Sequence, residues 1–85
     1  MFRIYREPRP EERREGRLVV GEVLGLAEAE RIATGMVEQR TTDYAEVWER
    51  CAAKTTIGLI DRGEEPRRVL VACRVSECRV VAHLI

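Results

Sequence analysis

The sequence predicts an α+β domain in which one amphipathic helix packs on one face of an antiparallel sheet of four to six strands. Three observations carry this prediction. One segment has clear helical periodicity, several short segments alternate between polar and apolar residues, and 85 residues suffice for one domain with a modest core. We therefore treat residues 1–85 as a single domain.

Residues 26–40 have the pattern of an amphipathic helix. At about 100° per residue the apolar side chains share one face, and they are Leu26, Ala29, Ile32, Ala33, Met36 and Val37. Gly25 is an acceptable N-cap, and Glu28 favours the positive end of the helix dipole. Gly35 falls on the polar face. We expect it to be tolerated there, although glycine lowers helix stability by about 1 kcal/mol relative to alanine. The apolar face should be buried, so function is expected elsewhere.

Two strands and a charged loop precede the helix. Residues 2–6 and 17–24 read as strands, and Gly21 either weakens the second strand or marks a bulge in it. Residues 7–16 contain two prolines and dense mixed charge, which excludes a buried strand. We predict a charged mobile loop over residues 7–16.

Residues 41–54 fit two structures. Apolar and aromatic side chains recur there at helical spacing; they are Tyr44, Val47, Trp48 and Cys51. A strand would instead place Tyr44, Glu46 and Trp48 on one face, which suits aromatic residues equally well. We predict a strand over about 44–50, because a one-helix domain of this size needs strands to cover the helix.

The remainder of the chain is predicted to be strands. Residues 55–61 form one strand and residues 62–66 a turn. The segments 69–75 and 79–85 are apolar on both faces, which is typical of strands in the middle of a sheet. The apolar residues Leu84 and Ile85 must be paired or covered, either in this sheet or in a homodimer through the C-terminal strand.

Composition and charge exclude several classes of protein. Fifteen basic residues balance fifteen acidic ones, so no net field draws the chain to nucleic acid or to an anionic membrane. No apolar run approaches the ~20 residues of a membrane span, and residues 1–6 lack the apolar core of a signal peptide. The three cysteines fit reduced thiols better than a disulfide framework. We expect a cytoplasmic protein.

One group of residues has metal-binding chemistry: Cys73, Cys78 and His83. Zinc sites usually have two to four residues between paired cysteines, and the four residues between Cys73 and Cys78, as between Cys78 and His83, lie at the upper limit of that range. The fourth ligand would have to be Cys51, so cysteines acting as small apolar residues are favoured. No phosphate-binding glycine motif is present, and the carboxylates are spaced as surface charge. We therefore expect no enzyme and no cofactor, with a small metal or cysteine-dependent protein as an alternative.

Arginine and aromatic residues are the candidates for an interaction surface. All basic residues except Lys54 are arginines, which suit contacts to carboxylates or phosphates but also follow from genomic composition. Trp48 would anchor an interface if exposed, although a core position is favoured. The arginines could form a patch that binds nucleic-acid phosphates. The favoured interpretation is that they pair locally with glutamates. The candidate interaction residues are Arg9, Arg13, Arg14, Tyr44, Glu46, Trp48, Arg50, Arg67 and Arg68.

The order of these segments resembles a known group of proteins. A short strand, a charged loop ending at Glu15–Gly16, a second strand and the alanine-rich helix opening at Leu26 are similar to small phage and prokaryotic β-β-α-β proteins. They include anti-CRISPR proteins that inhibit type I surveillance complexes. The resemblance covers residues 2–34 and carries over no functional residue. It implies a non-enzymatic inhibitor that binds a host nucleoprotein complex and acts by occlusion.

Overall fold

A computed structural model of the protein describes residues 1–13, 15–50 and 67–85. The elements are β1 (Phe2–Arg6), a short 3-10 turn (Pro10–Glu12), β2 (Leu18–Val23), α1 (Leu26–Glu38), β3 (Tyr44–Glu49), β4 (Arg67–Ser76) and β5 (Arg79–Leu84). The strands form one antiparallel sheet in the order β2-β1-β3-β4-β5. The helix contacts all five strands. The fold is α+β with one helix on one face of the sheet, as predicted.

The core lies between α1 and one face of the sheet. Ala29, Ala33 and Val37 of the helix are fully buried, and they belong to one cluster with Ile4, Ala45, Val47, Leu70 and Ala72 of the strands. Strand alternation places these strand residues on one face, and the 3.6-residue period aligns the helical ones. Leu26, Ile32 and Met36 pack at the margin of this cluster. The predicted apolar face of the helix is thus the buried face.

β1 lies between β2 and β3 and pairs with both. Ile4 is opposite Gly21 on one side and opposite Val47 on the other. The β1–β2 register shifts between Ile4 and Tyr5, so Val20 is the extra residue of a bulge. This bulge lies next to Gly21, where the sequence indicated either a bulge or a weakened strand.

The helix ends two residues earlier than the sequence predicted, at Glu38 rather than at residue 40. Arg40 adopts a left-handed conformation with φ 62°. The Arg40 amide donates to the Val37 carbonyl at 3.2 Å, and the Thr41 amide donates to the Met36 carbonyl at 2.9 Å. These two bonds form a Schellman motif, in which arginine takes the place usually held by glycine.

A strand arginine also caps this end of the helix. Arg74 of β4 donates to the Val37 carbonyl at 2.5 Å and to the Glu38 carbonyl at 3.4 Å. A cation is favourable there, because the last carbonyls carry the negative end of the helix dipole. The sheet therefore fixes where the helix stops.

β3 confirms the strand predicted over about 44–50. Its residues pair with β1 on one side and with β4 on the other. The helical spacing of Tyr44, Val47 and Trp48 does not decide the structure, because a central strand gains ladder hydrogen bonds and core contacts from two neighbours.

The C-terminal hairpin corrects one prediction. Among the described strands, β4 lies inside the sheet, whereas β5, which was predicted for the middle of the sheet, lies at its edge. The helix reaches over β5, so Val80 and Ala82 pack against the core cluster on that side. Leu84 and Ile85 remain 64% exposed.

Contacts with nearby and with distant residues fix the beginning of the charged loop. Two hydrogen bonds of 2.7 and 2.8 Å join the Arg6 guanidinium to the Glu12 carboxylate. The buried Thr42 hydroxyl donates to the Glu7 carbonyl at 2.8 Å. The mobility of residues 7–16 stays a prediction.

Several predictions lie outside the described residues: the strand over 55–61, the turn over 62–66, and the positions of Arg14 and Cys51. Within the described part of the chain, no helix is long and apolar enough to cross a membrane.

Candidate functional site

The sheet face opposite α1 carries polar and aromatic side chains. Cross-strand pairing places Tyr5 beside Glu46, and Arg3 and Arg68 on either side of Trp48. Directly paired residues of an antiparallel sheet point to the same side. We call the following six residues the Glu46 cluster: Tyr5, Arg17, Tyr44, Glu46, Trp48 and Arg68.

Glu46 is a nearly buried carboxylate at the centre of this cluster. It is 5% exposed, and it accepts hydrogen bonds from Arg17 and Arg68 at 2.9 Å each. The Tyr44 hydroxyl donates to it at 3.0 Å, and the Trp48 indole N–H donates at 3.4 Å. A buried charge is tolerated only with such partners, so these four side chains compensate for the lost hydration of Glu46.

The electrostatic setting keeps Glu46 ionised. Burial opposes the charged form, but hydrogen bonds from Arg68, Arg17, Tyr44 and Trp48 outweigh it and lower the pKa of Glu46. Burial and the hydrogen bond to Glu46 raise the pKa of Tyr44. Both shifts move these groups away from neutral pH, whereas a general acid or base works best with a pKa near the working pH.

Arg17 stacks on two aromatic rings. Its guanidinium carbon lies 4.8 Å from the centre of the Tyr5 ring and 5.0 Å from that of Trp48. The two rings meet edge to face, with centroids 6.3 Å apart. The cation–π contacts and the bond to Glu46 hold Arg17 in one orientation.

The cluster retains capacity for further binding. The side chains of Arg17 and Arg68 are 45% and 43% exposed, respectively. Each guanidinium has five N–H donors, and the two share the single negative charge of Glu46. The cluster therefore presents ordered, partly exposed donors with an excess of positive charge.

Charges are segregated between the two faces of the molecule. On the sheet face opposite α1, which we call the open face, Glu22 forms an ion pair with Arg3 and lies 3.8 Å from Arg50. With the Glu46 cluster, the ion-paired residues described on that face are four arginines and two glutamates. The exposed side of the helix carries three glutamates against one arginine, namely Glu28, Glu30, Glu38 and Arg31. Among the described residues, this part of the open face therefore carries an excess of positive charge, and the exposed side of α1 carries an excess of negative charge.

The structure brings together part of the predicted interaction set. Tyr44, Glu46, Trp48 and Arg68 meet in one cluster, and Arg50 lies beside it through Glu22. The preference for a core position of Trp48 was wrong, because Trp48 lies partly exposed on the face opposite the helix.

The other predicted residues lie apart from the cluster. Arg67 bonds Glu49 at 3.3 Å, and the alternation of β4 turns it away from Arg68. Arg9 donates to the Arg40 carbonyl near the helix end, and Arg13 follows the 3-10 turn. Arg14 lies outside the described residues.

Sequence reasoning missed Tyr5 and Arg17. Tyr5 alternates with Ile4 on the first predicted strand, and this alternation was the signal that could have found it, because neighbouring residues of a strand point to opposite faces. Arg17 lies 29 residues from Glu46, and no local pattern indicates that pair.

The alternative metal residues are spread along the C-terminal hairpin. Cys73 is opposite Val81, His83 is opposite Val71, and the exposed Cys78 lies in the β4–β5 turn. Among the residues that the structure describes, no group of three or more His, Cys, Asp and Glu side chains is placed to hold a metal ion.

Comparisons with known proteins found no matching family model, no similar curated protein and no similar solved structure.

Proposed function

We propose that this protein is a non-enzymatic interaction module that acts in the cytoplasm and binds its partner through the Glu46 cluster. We further propose that it is a phage-type inhibitor that occludes a host nucleoprotein complex of the type I surveillance class. The observation that carries the first proposal is the ordered array of exposed arginines and aromatic rings around a buried carboxylate.

The composition of the cluster supports binding to a protein. Tyrosine, tryptophan and arginine are enriched among the residues that dominate interface energies. Arg17 and Arg68 are already oriented by Glu46, and Arg17 also by two rings. Ordering before association lowers the entropy lost on binding.

The charge of the open face supports a partner with an acidic surface. Among the described residues, the four ion-paired arginines and two glutamates give this face an excess of positive charge, and the acidic helix lies on the opposite side. Complementary charge orients a partner and speeds its association. A nucleoprotein complex offers both acidic side chains and phosphates.

Binding to nucleic acid alone is less well supported. Arg3, Arg17, Arg50 and Arg68 each bond a carboxylate or lie within 4 Å of one, which weakens their field toward a phosphate backbone. We therefore favour a protein surface as the primary contact.

A purified type I surveillance complex provides the direct test. We expect saturable binding of the wild-type protein and loss of target-DNA binding by the complex. Arg68→Ala should weaken the interaction by roughly tenfold or more, as interface arginines often do. Arg67→Ala is the matched control, because this neighbouring arginine also pairs with a glutamate but lies away from the cluster.

Three results would contradict the proposal in different ways. No binding to the complex removes the inhibitor function. Equal losses for Arg67→Ala and Arg68→Ala remove the Glu46 cluster as the binding surface. Tight binding of DNA or RNA alone, with an affinity that falls steeply with salt, favours the nucleic-acid alternative.

A further inference from the structure

The two edges of the sheet differ in their protection against pairing. Unpaired edge strands are normally blocked by bulges, prolines or inward-pointing charges. β2 has a bulge at Val20, directly beside Gly21. β5 runs from Arg79 to Leu84 without a bulge in its own chain, and its central residues are Val80, Val81 and Ala82.

The outer edge of β5 presents regularly spaced backbone groups. Leu84 is opposite Leu70, and the Ile85 amide donates to the Val69 carbonyl at 3.0 Å. In an antiparallel ladder this makes Leu84 and Leu70 a non-hydrogen-bonded pair, so the Leu84 N–H and C=O point away from β4. Alternation turns those of Ala82 and Val80 outward as well. No other strand among the described residues pairs with this edge.

We propose that β5 pairs antiparallel with β5 of a second copy of this chain, with Ala82 opposite Ala82. In this register Val80 lies opposite Leu84 of the other copy. Each outward residue then donates and accepts one backbone hydrogen bond across the two-fold axis. The helix-side row of Val80, Ala82 and Leu84 continues across the junction and covers the exposed Leu84 side chain.

Charge favours this register over its neighbour. With Ala82 at the axis, Arg79 lies opposite Ile85 and His83 opposite Val81, so no two basic residues face each other. With Val81 at the axis, Arg79 would lie opposite His83, and fewer outward backbone groups would be paired. The intermediate register would pair Ala82 with Val81 of the other copy. It is excluded because it would place helix-side residues of one copy opposite residues of the other copy that point to the open face.

The dimer has a continuous ten-stranded sheet with both helices on one face. Both Glu46 clusters lie on the other face, and the two copies of β3 are separated by five inter-strand steps, or about 24 Å. The pairing itself does not depend on the proposed function. Only its consequence does: two binding surfaces on one face allow bivalent attachment to a partner.

Self-association of the full chain tests the pairing. We expect sedimentation equilibrium between micromolar and millimolar concentration to show a monomer–dimer equilibrium. Leu84→Lys places a charge on the β5 edge and should weaken dimerisation by roughly tenfold or more. Val19→Lys is the matched control on the β2 edge, where the exposed fraction is similar (56% against 64%) and dimerisation should persist.

Amide hydrogen exchange of the wild-type protein tests the register without any substitution. In the dimer, the amides of Val80, Ala82 and Leu84 should be protected together with the inward amides of the same strand. Ala82→Pro should restore the monomer, because it removes an outward N–H and no ladder bond to β4. A monomer at millimolar concentration, fast exchange of the Ala82 amide in a dimer, or a dimer broken by Val19→Lys alone would overturn the proposal.

Discussion

Glu46 shows how one residue can be both a structural and a binding element. Its carboxylate is removed from water, yet four side chains from three segments of the chain direct donors at it. These side chains are thereby fixed on the surface. A change at Glu46 should therefore affect folding stability and the shape of the exposed face together.

Replacement of Glu46 by glutamine should lower the free energy of unfolding at neutral pH by about 1–3 kcal/mol, since the charge-assisted bonds from Arg17 and Arg68 are lost. Glu49→Gln is the control on the same strand. Its bond to Arg67 is exposed, so the change there should be about 0.5 kcal/mol or less. Chemical denaturation measures both values, and equal losses would contradict the assigned role of Glu46.

The difference in stability between wild type and Glu46→Gln should depend on pH in the acidic range. Burial disfavours the charge of Glu46, but its donors lower the pKa in the folded state below the ordinary value of 4.5. A lowered folded-state pKa adds stability that is present above the unfolded-state pKa and is lost as pH falls through the folded-state value. The advantage of wild type over Glu46→Gln should therefore shrink below about pH 4.5. A constant difference down to pH 3 would disagree with this linkage.

For individual residues, the sequence predicted which side chains of β3 share a face. It did not predict which residues of the neighbouring segments meet them. Alternation placed Tyr44, Glu46 and Trp48 on a common face because strand periodicity is local. The contribution of Arg17 depends on the pairing of distant strands and on a bulge at Val20. No local pattern encodes that register.

Among the elements, α1 is the one whose inner face the sequence defined most fully. Ile32 packs against the core cluster, while Arg31 is exposed on the outer side. Ile32→Asp should unfold the domain, because an unpaired carboxylate against the core costs more than about 3 kcal/mol. Arg31→Asp is the control and should leave a cooperative thermal transition. A folded Ile32→Asp protein would contradict the packing of this helix.

Gly35 is a second test within the same element. No described atom outside the helix lies within 4 Å of the place where a Cβ would be added. Gly35→Ala should therefore raise the free energy of unfolding by about 0.5–1 kcal/mol through helix propensity.

Gly16→Ala is the matched control for Gly35→Ala, because Gly16 has φ +79° and an alanine is strained there. The two substitutions should shift the thermal midpoint in opposite directions. A destabilising Gly35→Ala would mean that the outer side of the helix is more closely packed than the described atoms show.

The ends of elements were harder to predict than their existence. The pattern continued to residue 40, but a left-handed Arg40 and the capping by Arg74 end α1 at Glu38. Arg74 acts from a strand 36 residues away in sequence from the Glu38 carbonyl it contacts. Such a contact is tertiary, so helical periodicity alone does not contain it.

For the whole molecule, the fold class was predictable and the strand order was not. One helix and several alternating segments in 85 residues leave few architectures other than a sheet covered on one side. The placement of β5 at an edge and of β1 between β2 and β3 depends on long-range pairing. Apolar residues on both faces suggested the centre of the sheet for β5, but the helix covers Val80 and Ala82 on one face only, and a strand covered on one face can lie at an edge.

The position of β1 has a consequence for biosynthesis. β1 leaves the ribosome before both of its neighbours, and β3 follows on the order of seconds later at ordinary translation rates. Until then the nascent chain holds at most a β1–β2 hairpin and a helix whose apolar face has little sheet to cover it. Leu70 and Ala72 complete that cover later still. Native packing is therefore acquired only after β4 has been synthesised, and the growing chain must keep the unpaired side of β1 available for β3 until β3 has left the ribosome.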